Sequence, residues 1–221
     1  MRRSAAFFGL SFKELLAAKH PTAWLDFERG VLDERAFFAT FFADGRAVDG
    51  DGLRAAMRAA YAFVPGMEPL LSRLHAAGYE MHAFSNYPDW WRLVEERLEL
   101  SRFLSWTAVS CLPALRGARK PEPEAFAAAA QAVGGAAADL VLIVRAPAVQ
   151  QKRGAVLVPP LLLLLLFFAF CRWRPWRDAS RAQDDREVNV AGARAAGWAA
   201  VHFTGSAERL EAALAELGVS C

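Results

Sequence analysis

A hydroxyl at Ser85, an ammonium at Lys120 and a pair of carboxylates at Asp184-Asp185 follow one another along the chain. Hydroxyl and ammonium groups bind phosphate oxygens, and carboxylates hold a magnesium ion that neutralises the same phosphate. Singly, each signal is weak. A serine at a strand end commonly makes a turn, a lone lysine is usually solvated, and two aspartates before a helix serve as N-cap and dipole partners. As an ordered set at successive strand ends, they point to a phosphate and magnesium site.

The elements that must position them alternate between helix and strand from Pro65 onward. Met67 to Ala77 reads as an amphipathic helix with Gly78 as its C-cap, and Tyr79 to Phe84 as a short apolar strand ending at Ser85-Asn86. Trp90 to Leu98 is helical, Trp106 to Cys111 a second strand, and Pro123 to Val133 a helix closed by Gly134-Gly135. Leu140 to Val144 is a third strand, Val188 to Ala196 a helix, Trp198 to Phe203 a fourth strand and Ala207 to Leu217 the last helix. This grammar predicts an α/β fold with a parallel sheet and right-handed crossovers.

Ahead of it lies a helical module. Phe12, Leu15 and Leu16 share a helical face, and Pro21 breaks the chain before a second helix running through Trp24, Phe27 and Leu32. Asp33 starts a third helix with Phe37, Phe38, Phe41 and Phe42, and Gly52 to Phe63 forms a fourth. The expected layout is therefore a helical module at 1–64, an α/β part at 65–144, an atypical segment at 145–183 and the rest of the α/β part at 184–221.

Segment 145–183 reads unlike the remainder. Pro159-Pro160 is followed by six leucines and two phenylalanines, and the flanking text is rich in Arg and Trp. With it removed, LVLIV runs directly into DDREVNVAGARAAGWAAVHF, which reads as strand, carboxylates, helix and strand. Three readings stand. A membrane anchor would use Ala155 to Cys171, but a span takes about 20 apolar residues and the proline pair divides the run. A functional lid would need a polar constellation, and none is evident. Translated intron fits the Pro, Leu and Phe content of pyrimidine-rich DNA, and this reading is preferred. Sequencing the transcript across the codons for Val144 and Asp184 separates these readings. Closing a loop of this length costs on the order of 3 kcal/mol, which a core of this size tolerates, but the exposed apolar run is an aggregation hazard.

Composition narrows the function classes. The 221 residues carry 26 basic and 24 acidic side chains, a net charge of +2, and the bases outside 145–183 are scattered, which gives nucleic-acid binding little support. Cys111, Cys171 and Cys221 show no paired spacing, so neither a zinc site nor a disulfide framework is indicated. MRRSAAFFGL is too short to read as a signal or transit peptide.

The Ser, Lys, Asp-Asp set resembles the haloacid dehalogenase-like phosphatases. HAFSNYP matches that superfamily's second motif, RKPEP its third and DDREVN its fourth, with the helical module similar to its substrate-selecting cap. AFFGLSFKELLAAKHPTAWLDFERG, FFADGR and HAFSNYPDWW look like the plant flavin mononucleotide (FMN) hydrolase branch, a chloroplast group. The resemblance covers Ala6 to Val144 and Asp184 to the end. It implies a Rossmann-like core with a helical cap and magnesium-dependent hydrolysis of FMN to riboflavin and phosphate. By the same resemblance, Ser85 would bind phosphoryl oxygens, Lys120 would balance their charge, Asn86 would assist, and Asp184 and Asp185 would bind or orient the metal.

One departure bears on activity. The superfamily's first motif supplies an aspartate nucleophile and a second aspartate as acid or base, at the end of a central strand ahead of the cap. Only MRRSA precedes the cap text here, and Asp26, in WLDFERG, lies inside a cap helix without the following threonine. The expectation is therefore little or no turnover by these residues alone. A central strand is also missing, which would leave two unpaired strand edges. The rival readings are a non-catalytic FMN-binding or pseudo-enzyme form and a membrane-tethered variant. If translated as written, the chain would be cytoplasmic rather than chloroplastic.

Overall fold

The computed structural model describes residues 6–145, 168–169 and 187–221. The chain forms α1 (Phe12–Ala18), α2 (Ala23–Glu28), α3 (Glu34–Thr40), α4 (Gly50–Ala60), α5 (Met67–Ala76), β1 (His82–Ser85), α6 (Trp91–Leu98) and β2 (Ser105–Val109). There follow α7 (Pro123–Val133), β3 (Val141–Arg145), β4 (Phe168–Ala169), α8 (Glu187–Ala195), β5 (Ala199–Phe203) and α9 (Ala207–Glu216).

Local chemistry sets the helix ends. Ser11 and Glu14 form a capping box on α1, and the Asp33 carboxylate accepts the Ala36 N–H to start α3. The structure starts α4 at Gly50, ahead of the expected Gly52, because the Asp49 side chain accepts the Gly52 N–H. It ends α2 at Glu28, short of Leu32. There Gly30 adopts φ 74°, and the N–H groups of Val31 and Leu32 both turn back to the Asp26 carbonyl. A Cβ on Gly30 would meet the Cys111 carbonyl oxygen at 3.1 Å, so this turn also needs a residue without a side chain.

The sheet runs β2-β1-β4-β3-β5. β1 pairs in parallel with β2, and β3 with β5 from Val141↔Ala199 to Arg145↔Phe203. This confirms the α/β class, with one change from an all-parallel sheet. β4 lies between β1 and β3 and is antiparallel to both, with pairs His82↔Ala169, Ala83↔Phe168 and Leu142↔Ala169. The two inner edges expected to lie open therefore share a short strand drawn from the atypical segment. The remainder of 145–183 falls outside the described residues, apart from Arg145 at the end of β3.

Strand alternation divides the core between the two faces of the sheet. Phe84, Leu142 and Val144 pack with Phe126 and Trp198 on one side; Ala83, Ile143, Val201 and Phe203 pack with Leu70, Leu74, Leu93 and Leu210 on the other. The second cluster continues into the helical module. Trp90, at the start of α6, makes ring contacts with Trp24, Phe27 and Phe37 within 6.1 Å. No helix among the described residues is long and apolar enough to cross a membrane.

Candidate functional site

β1 ends in the site. Parallel pairing sets Phe84 and Ser85 against Ala108 and Val109 of β2, and the Ser85 carbonyl accepts the Ser110 N–H from the loop after β2. Ser85 is 3% exposed, at the carboxyl end of its strand, where an α/β sheet presents groups to a ligand.

Lys120 approaches the same strand end from the loop before α7. It is 1% exposed; its ammonium donates to the Phe84 carbonyl oxygen and lies 3.7 Å from the centre of the Phe84 ring. A solvated surface lysine would show neither feature. Asn86 holds its backbone from the sheet side. The Asn86 amide donates through Nδ2 to the Lys120 carbonyl and accepts the Lys120 N–H at Oδ1, both at 2.8 Å. Asn86 is itself 4% exposed, so this two-bond clamp is buried. Thus the structure brings Ser85, Asn86 and Lys120 together across 34 residues of sequence.

Asp184 and Asp185 lie outside the described residues. The helix they precede, α8, packs beside the Lys120 loop: a Cβ at Gly192 would come within 2.7 Å of the Phe126 ring and 3.4 Å of the Pro121 carbonyl. One turn earlier on α8 stands Asn189, a residue the sequence reading passed over. It is 1% exposed, and neither its amide nitrogen nor its amide oxygen has a hydrogen-bond partner among the described residues. Leaving a buried amide unpaired is costly, and such groups mark places where a ligand or water belongs. The available signal was an asparagine on the buried face of an alanine-rich helix.

Other polar groups take structural roles. Asp26 sits on α2, where its carboxylate receives the Thr22 hydroxyl at 2.8 Å, in keeping with a helix-start residue. The Tyr61 and Tyr87 hydroxyls meet at 2.5 Å; burial pushes Tyr61 up to about 12, with the Tyr87 hydrogen bond opposing, and pushes Tyr87 well above the ordinary phenol value. Both stay protonated at neutral pH. Burial, reinforced by Asp89, raises the Cys111 thiol to about 12, so it is no thiolate nucleophile. No group of three or more His, Cys, Asp or Glu side chains able to hold a metal occurs among the described residues.

The aromatic residues of the module pack against one another. Phe37, 1% exposed, stacks on Phe27 at 4.5 Å and 15°, while Trp24 makes edge contacts with Phe27, Phe37, Tyr87 and Trp90. A cavity of about 30 Å³ remains beside Trp24, Phe41 and Met57. That is room for about one water between rings that pack on one another.

Comparison with known proteins adds a specific likeness. Over 119 residues the chain is 48% identical to the chloroplastic flavin mononucleotide hydrolase 1 of Arabidopsis thaliana. The chain resembles an FMN hydrolase. The aligned stretch takes in 54% of this chain and 47% of that protein, so the chain spans about half the length of the FMN hydrolase it matches. No family model matches the chain.

Proposed function

We propose that this chain carries the phosphate-recognising part of a magnesium-dependent phosphomonoester hydrolase of the haloacid dehalogenase-like type, with FMN as substrate and riboflavin and phosphate as products. The observation that carries this reading is the buried Lys120 ammonium at the end of β1 beside Ser85, in a chain similar to an FMN hydrolase. The Ser85 hydroxyl donates to a phosphoryl oxygen. The Lys120 ammonium balances the phosphate's charge in a site where little water screens it. Asn86 fixes Lys120 through its backbone and has a second Nδ2 hydrogen available for the phosphoryl group, and the Asn189 amide supplies a further contact to the bound group or to a water beside it.

Asp184 and Asp185 would hold the magnesium ion, since carboxylate oxygens are the hard donors it takes; when bound, it supplies positive charge against the phosphoryl group. These 221 residues are proposed to bind the ester with little or no turnover, because no aspartate among them matches the nucleophile motif. By likeness to its relative, the working compartment is the chloroplast.

The test is an FMN titration of the 221-residue chain with magnesium, followed by flavin fluorescence, alongside Lys120→Ala. Saturable binding that Lys120→Ala weakens sharply is the expected result. Binding that survives Lys120→Ala unchanged would favour a flavin-binding protein without a phosphate site.

A further inference from the structure

The end of α2 reads Glu28-Arg29, and the loop before α7 reads Arg119-Lys120-Pro121-Glu122. The fold pairs these charges crosswise. Arg119 Nε donates to Glu28 Oε1 at 2.7 Å, and Arg29 donates to Glu122 Oε1 at 2.5 Å. The pairs differ in surroundings. Arg29 and Glu122 are each 35% exposed, so solvent screens them, whereas the Glu28 side chain is 7% exposed. Glu28 also accepts the Trp24 indole N–H through its other oxygen at 3.0 Å. A buried carboxylate with both oxygens engaged is destabilised by loss of either partner.

The same helix end is tied to the serine loop. The Ser110 hydroxyl donates to the Glu28 carbonyl at 2.6 Å and accepts the Tyr87 N–H at 3.0 Å, with Ser110 fully buried. Tyr87 in turn meets Tyr61, which follows α4. The helical module thus grips both loops that bear Ser85 and Lys120. Lys120 is clamped from the sheet by Asn86, while its neighbour Arg119 is clamped from the module by Glu28.

We infer that Glu28 and Arg119 are a positioning pair through which the helical module sets the placement of Lys120, and that Arg119 is engaged by Glu28 rather than by substrate. The inference rests on the phosphate-site reading given above, and it makes a prediction of sign. If Arg119 bound phosphate directly, removing the negative charge of Glu28 would free the arginine and tighten FMN. As a positioning pair, Glu28→Gln and Arg119→Gln weaken FMN alike, and the double variant is no worse than either single one.

The experiment uses the full chain, with FMN affinity measured by titration calorimetry and exchange of the Lys120 amide hydrogen measured in the absence of ligand. Each single variant is expected to speed Lys120 exchange and weaken FMN by roughly tenfold, with sheet amides of β5 unchanged. Arg119→Lys, which keeps the charge but not the Nε geometry, restores little, and it serves as the arginine variant should Arg119→Gln fail to fold. Tighter or unchanged FMN binding in Glu28→Gln, or unaltered Lys120 exchange in both single variants, overturns the inference. Should the unsubstituted chain not bind FMN at all, the phosphate-site reading fails, and Lys120 exchange alone decides whether the pair positions that loop.

Discussion

Asn86→Ala strips both hydrogen bonds from the backbone of Lys120 while leaving the Lys120 side chain in place. The lost bonds are 2.8 Å each, between residues 4% and 1% exposed, so the buried Lys120 N–H and C=O would each lose the Asn86 partner. Removing the partner of a buried backbone group costs about 1–3 kcal/mol. Water entering the volume left by the amide relieves part of this, which places the expected loss at the lower end, about 2–3 kcal/mol. For a chain of this size that corresponds to a fall in Tm of about 4–12 °C. Thermal and urea unfolding followed by circular dichroism measure it, with amide exchange at Lys120 as the local readout. A change within about 0.5 kcal/mol, the scale of an ordinary surface substitution, together with unchanged Lys120 exchange, would refute the claim that this clamp holds the lysine.

Three further outcomes follow from the same geometry. Lys120→Met is expected to weaken FMN binding by roughly tenfold or more, since a charge-assisted contact is lost where water does not replace it; calorimetry checks this, and β5 amide exchange shows whether the fold is kept. Asn189→Leu is expected to stabilise the chain by about 1–3 kcal/mol, because it removes a buried amide with no partner among the described residues, and to weaken FMN binding; destabilisation would mean that the amide is already satisfied. Burial holds the His82 imidazole below its usual pKa, against the raising effect of Glu80. The folded chain therefore takes up that proton only at lower pH than the unfolded chain, and stability falls as pH drops below about 6.5. His82→Gln is expected to flatten that loss in urea denaturation at about pH 7.5 and 5.5.

Much of the fold was legible because the text from Pro65 changes cleanly between helical and strand periods. Pro123 opens α7, Gly134 closes it, and the alternating apolar residues of β1, β3 and β5 separate onto two faces as the pattern requires. The placement of Ser85 and Lys120 was legible for a related reason: Ser85 closes a buried strand, and Lys120 lies in the loop after one. Long-range pairings left no comparable mark. The Asn86 amide spans 34 residues to reach Lys120, and Glu28 spans 91 to reach Arg119, so neither partner lies within any window that periodicity samples. β4 was hidden because a two-residue antiparallel pairing inside a leucine-rich run has no period of its own. Asn189 was hidden because a single asparagine at a helix start looks like a solvated residue until its burial is known.

The most direct test is to follow phosphate release and FMN binding together on the 221-residue chain in magnesium. The account predicts saturable binding that depends on Lys120, with phosphate release no faster than in the protein-free control. Sustained multiple turnover by this chain would contradict it, because a nucleophile would then be at work among residues where none has been identified.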